Sequence, residues 1–110
     1  MQAVQRIHAR SLSKLLLTCE HASPRLPADF PTDGPSRRIL GSHWGSDMGA
    51  WQVARLVARS LEATAVGGRW SRLVVDLNRP VSDPTLVLRE ADGIALPGTG
   101  GFRPPRSNGV

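Results

Sequence analysis

A chain of 110 residues with 40% hydrophobic content holds one small globular domain and leaves no room for a second. Its 14 Lys plus Arg against 9 Asp plus Glu give a net charge of +5, and 13 of those basic residues are arginines scattered from Arg6 to Arg106. A nucleic-acid surface would gather such charge on one face, often beside aromatic platforms, so the scatter argues against a nucleic-acid partner.

The first predicted element is a strand. Lys14-Leu-Leu-Leu-Thr-Cys19 is a short apolar run that ends in polar residues, the pattern of a strand buried on both faces in a parallel sheet. Residues 1–13 precede it as an N-terminal extension. Cys19 is the single cysteine, which rules out an intrachain disulfide and makes the cytoplasm the expected compartment. No apolar stretch approaches the roughly 20 residues of a membrane helix, so no membrane is expected as a partner.

From Ser23 to Gly41 the prolines Pro24, Pro27, Pro31 and Pro35 alternate with Asp29, Asp33, Gly34 and Ser36, which predicts a long loop. Residues 47–62 carry the clearest helix: Ala50, Val53, Ala54, Val57 and Leu61 share one face, and Gln52, Arg55, Arg59 and Glu62 the other. Ser46 or Asp47 would cap it.

After Gly67-Gly68 the run Arg72-Leu-Val-Val-Asp-Leu77 reads as a second buried strand, completing a βαβ pattern. Beyond Asp83-Pro84 periodicity fades, and residues 99–110 read as a disordered tail. There is no internal repeat, no P-loop glycine pattern and no paired CxxC.

Ligands of open α/β sheets bind outside the carboxyl ends of the strands, so Glu20, His21, Asp76, Asn78 and Arg79 are placed to converge there. Glu20 and His21 offer a carboxylate and an imidazole, both ligands for a metal such as zinc. The alternative is a structural histidine beside a solvated glutamate. His43 and Asp47 lie four apart, a spacing that brings two ligands together on a helix. The alternative for Asp47 is a carboxylate at a helix N-terminus.

Asp76-Leu-Asn-Arg79 sets an amide and a guanidinium at a strand end, a fork that grips a carboxylate. The alternative is an ion pair of Arg79 with Asp76 or Asp83. Thr18, Cys19 and Ser23 lack any triad spacing, and Trp44, Trp51 and Trp70 form no stacking array.

Taken together, Leu17-Thr-Cys-Glu-His-Ala-Ser23, His43-Trp-Gly-Ser-Asp-Met-Gly-Ala50 and Ser71-Arg-Leu-Val-Val-Asp-Leu-Asn-Arg79 resemble the N-formylglutamate amidohydrolase family, over residues 14–98 and in its N-terminal half. The resemblance implies an α/β fold, a partial three-layer sandwich with a mostly parallel sheet, zinc-exopeptidase-like and truncated. It implies metal binding by Glu20, His21 and Asp47, and a substrate-carboxylate clamp of Asn78 and Arg79. In the similar zinc carboxypeptidases the metal residues stand as His-x-x-Glu, whereas here Glu20 and His21 are adjacent.

The implied cofactor is a divalent metal, zinc with cobalt as the alternative. The implied reaction is hydrolysis of an N-acyl amino acid such as N-formylglutamate to formate and the amino acid. Family members are longer, and their second half should supply a further histidine ligand and the catalytic glutamate. This chain has no histidine after His43 and only Glu90 downstream of Val81. Two functional expectations follow: a hydrolase, inactive or active as this chain, and a non-catalytic remnant or module that binds an acidic small molecule or a protein. A partial sheet also predicts an open edge and an exposed apolar face, hence association with another copy.

Overall fold

The computed structural model describes residues 2–96. A three-stranded sheet is formed by β1 (Val4–Ile7), β2 (Leu16–Cys19) and β3 (Thr64–Gly68) in the order β1-β3-β2. The central strand runs parallel to β2, with Leu17 opposite Ala65 and Cys19 opposite Gly67, and antiparallel to β1, with Val4 opposite Gly68. The α/β class therefore stands, but the sheet is mixed rather than mostly parallel. The difference comes from residues 4–7, part of the expected N-terminal extension, which add the antiparallel edge.

The connection between the parallel strands is α2 (Ala50–Leu61), preceded in the chain by the short α1 (Gly34–Leu40). Trp51 and Ala58 on α2 pack with Cys19 and Ala65 on the strands, and Leu17, Ala22 and Ala54 border that cluster. Small residues let the helix approach the sheet closely. A Cβ added at Gly67 would stand 2.7 Å from the Trp51 ring, so the indole requires glycine beneath it.

The second strand of the βαβ unit is thus Thr64–Gly68 and not residues 72–77, which form turns, with Val74 N–H donating to the Ser71 carbonyl at 3.0 Å. One residue of the apolar run, Leu73, serves another core. Leu73 packs with Ile39, Ala91 and Leu96, beneath a hairpin of β4 (Glu90–Ala91) and β5 (Ile94–Ala95). Glycine-rich Thr-Ala-Val-Gly-Gly lacked the apolar bulk by which a buried strand is normally recognised.

Within the expected loop 23–41, α1 forms because Asp33 accepts from the Ser36 amide at 2.8 Å, Pro35 occupies the first turn and Arg37 and Arg38 lie in the last. Helix α2 starts three residues later than expected. Its N-cap is Gly49 at φ 80°, with no side-chain cap, because Asp47 turns its carboxylate toward a histidine instead. The expected tail at 99–110 lies outside the described residues.

Candidate active site

Glu20 and His21 leave the carboxyl end of β2, where the chain meets two other loops. One is the 41–49 segment before α2. It is tied down by the Asp47 amide, which donates to the His21 carbonyl at 3.0 Å, and by the Ser71 hydroxyl, which donates to the Gly45 carbonyl at 2.7 Å. The other is the 71–79 segment after β3, which carries Asp76. Three residues far apart in sequence are thereby placed in a line: Asp76, His21 and Asp47.

His21 is buried and uses both ring nitrogens. Nε2 lies 2.6 Å from Asp76 Oδ1, and Nδ1 lies 3.4 Å from Asp47 Oδ2. Asp76 is 1% exposed and gathers four donors: His21, the Asn78 backbone amide at 3.0 Å, the Arg72 guanidinium at 2.9 Å and Arg79 Nε at 3.1 Å. Burial on its own would raise this carboxyl. The hydrogen bonds from His21, Asn78 and Arg79 outweigh it and hold the pKa at about 2.

An ionised Asp76 accepts and cannot donate, so the proton between the two residues belongs to His21 Nε2. Nδ1 is the ring nitrogen on the Asp47 side.

On that side lies a cleft of about 560 Å³ whose wall includes Glu20, His21, Asp47, Met48, Gly49 and Val53. The three metal candidates of the sequence, Glu20, His21 and Asp47, thus share one cleft. Thr18 Oγ1 donates to Glu20 Oε1 at 3.0 Å, which keeps that carboxylate near the strand end.

Two of these three side chains stand at a spacing that two ligands of one divalent ion would also have. Two ligands about 2.1 Å from a tetrahedral zinc lie roughly 3.4 Å apart, the separation of His21 Nδ1 and Asp47 Oδ2. Among the described residues, no three His, Cys, Asp or Glu side chains are already gathered at ligating distance. Glu20 would have to swing from Thr18 to become the third.

Asn78 and Arg79 do not line this cleft. Arg79 binds Asp76 through Nε and Thr85 through Nη1, with Asp83 at 3.9 Å, and its side chain is 31% exposed. The ion pairs weighed for Arg79 in the sequence, to Asp76 and to Asp83, are both present. His43 is exposed and packs its ring against Trp44, with centroids 5.2 Å apart, so it is not brought to Asp47. Burial, together with the nearby Glu20 and Asp47 carboxylates, pushes the Cys19 thiol up and disfavours a thiolate nucleophile.

Sequence reasoning missed Arg72 and Ser71. The Arg72 guanidinium lies over the Trp44 ring at 5.7 Å and bonds Asp76 four residues on. With the segment read as a strand, that spacing carried no meaning; read as a turn it would have.

The fold and the cleft define an α/β protein with a carboxylate–histidine–carboxylate line at the carboxyl end of a parallel strand pair. Residues 13–105 match the family described as N-formylglutamate amidohydrolase, and the chain belongs to that family. The chain is also similar to the crystal structure of gene product Atu2144 from Agrobacterium tumefaciens, at 38% identity and a TM-score of 0.83. That likeness covers 93% of this chain and 40% of the Agrobacterium chain, so the protein spans less than half the length of this relative. No curated protein matches it.

Proposed function

We propose that this chain carries the metal-binding half of an amidohydrolase site that cleaves an N-acyl amino acid, with N-formylglutamate as the type substrate and formate as one product. The observation that carries the reading is the Asp76–His21–Asp47 line, in which an ionised, buried carboxylate fixes the imidazole so that one nitrogen faces the cleft. His21 Nδ1, Asp47 and Glu20 are the residues that would hold a divalent metal, zinc or cobalt. Such an ion supplies Lewis acidity to an acyl carbonyl and lowers the pKa of a bound water.

The residues of this chain have distinct roles in that reading. Asp76 orients His21 and sets its tautomer. Arg72 and Arg79 neutralise Asp76 from the side opposite the histidine. Arg79 stands outside the cleft with Nε on Asp76 and Nη1 on Thr85, so in this reading the substrate carboxylate extends past the cleft wall to the remaining Nη2, with Asn78 beside it. The similarity to zinc carboxypeptidases implied by the sequence supports this assignment of the Asn-Arg pair.

A second reading rests on the span of the chain, 40% of the Agrobacterium relative: a non-catalytic module that binds an acidic small molecule or protein through the same cleft. Formate release from N-formylglutamate, assayed with and without added zinc or cobalt, separates the two. Metal-dependent formate release supports the hydrolase. Binding of N-formylglutamate to the metal-loaded protein without turnover supports the module.

A further inference from the structure

Two loops supply the carboxylates on either side of His21, Asp47 from the 41–49 segment and Asp76 from the 71–79 segment. The line they form holds only while those loops keep their register. Two contacts tie one loop to the other. The Ser71 hydroxyl donates to the Gly45 carbonyl at 2.7 Å, and the Arg72 guanidinium lies over the Trp44 ring, 5.7 Å from its centroid. Ser71 and Arg72 are neighbours on one loop, as Trp44 and Gly45 are on the other, so the contacts form a two-point clamp.

The Arg72 side chain is only 13% exposed and reaches Asp76 Oδ2 through Nη2 at 2.9 Å. Its Nε has no hydrogen-bond partner among the described residues, and neither has the buried Trp44 Nε1. The indole N–H therefore forms no part of the clamp. What Trp44 supplies is the face of its ring, on which a guanidinium stacks as an aliphatic side chain would not allow. The same ring borders the core cluster of Ile39 and Leu73, which holds it in place.

We propose that Trp44 is a positioning residue for the site: its ring fixes Arg72, Arg72 fixes Asp76, and Asp76 holds His21 toward Asp47. The proposal rests on the His21 line as the metal-holding part of the site, but its first readout needs no metal. The bond between His21 Nε2 and Asp76 is buried and 2.6 Å long. An imidazole N–H held in this way gives a downfield NMR signal that exchanges slowly with water, and its exchange reports local opening of that bond.

The signal is followed in the metal-free full chain and in three variants, each checked for folding by circular dichroism. Trp44→Phe keeps a ring face and drops only the unpartnered N–H. Trp44→Met keeps bulk without the face, and Ile39→Val trims the neighbouring core while leaving the ring. Exchange is expected to stay within about twofold of the parent in Trp44→Phe and Ile39→Val, and to accelerate at least about tenfold in Trp44→Met. Zinc affinity, read by competition with a chelator, is expected to fall at least about fivefold in Trp44→Met alone.

Should Trp44→Met not fold, Arg72→Lys takes its place, because an ammonium keeps the charge beside Asp76 but not the stacked plane; the same acceleration is expected. Unchanged exchange in the variant that folds overturns the proposal. So does equal acceleration in Trp44→Phe or in Ile39→Val, which would make the effect one of core packing. Accelerated exchange in Trp44→Met, in a protein that takes up no zinc in any form, would leave the clamp standing and remove the metal reading instead.

Discussion

Asp76 is the residue on which the site turns, because it meets three charged or ionisable side chains with one carboxylate and is almost wholly buried. Replacing it by asparagine keeps the shape and removes the charge. Arg72 and Arg79 then lose their shared anion, and a loss of about 3 kcal/mol in urea unfolding is expected for a broken buried pair. The change also frees the His21 tautomer, so zinc affinity should fall by roughly 10- to 100-fold, the usual effect of removing a carboxylate behind a ligand histidine. Equal zinc affinity in Asp76→Asn and the parent, measured by competition with a chromophoric chelator, would remove Asp76 from the metal site.

The depressed pKa of the same residue fixes a pH dependence. A carboxyl at about 2 in the fold and near 3.8 unfolded binds more protons in the unfolded state across that interval. Its contribution is therefore complete above about pH 4 and is lost as pH falls toward 2, on the order of 2 kcal/mol in all. Urea midpoints of the parent should drop more steeply between pH 5 and 2.5 than those of Asp76→Asn. Parallel curves would contradict the assignment. Arg79→Ala should weaken binding of a carboxylate substrate far more than that of its amide analogue, read as KM or as direct affinity. An equal loss for both would refute the clamp.

At the scale of elements, the helix on the sheet depends on one aromatic ring over one glycine. Trp51→Ala removes the largest side chain in its cluster and should cost about 3–5 kcal/mol by chemical denaturation. Gly67→Ala drives a methyl into the indole and should destabilise by itself. In a Trp51→Leu background the same change should cost measurably less, since the two residues share one contact. Additive costs would mean that Gly67 is needed for its backbone and not for space.

That contact also explains what was legible in the sequence. Helix α2 announced itself through its 3.6-residue periodicity, and β2 through an apolar run. Strand β3 did not, because packing against Trp51 and against the carbonyl end of β2 demands glycines where a strand normally shows branched side chains. The strand is therefore expected at Arg72–Leu77 instead, where Leu73 belongs to a loop core. Helix α1 was hidden among prolines, although Asp33, Pro35 and Ser36 together form a readable start signal.

For the molecule as a whole, three loops converge at the carboxyl end of one parallel strand pair. Glu20, His21 and Asp76 could be expected there from the general rule for α/β sheets, even with one strand misplaced, because the loop after β3 returns to the same end. What pattern could not reveal is that Asp76 binds His21 and Arg79 at once, since the relevant separations are 55 and 3 residues. Asp47 reached the cleft by giving up the helix cap that its position suggested. No helix among the described residues is long and apolar enough to cross a membrane.

The most direct test of this reading is metal content. Purified protein, loaded with zinc and dialysed free of excess, is analysed for metal beside His21→Ala prepared in the same way. One zinc per chain in the parent and a loss of at least about tenfold in His21→Ala would accord with a metal centre whose ligand is held in place by Asp76. No zinc in the parent, or equal zinc in both proteins, would contradict it.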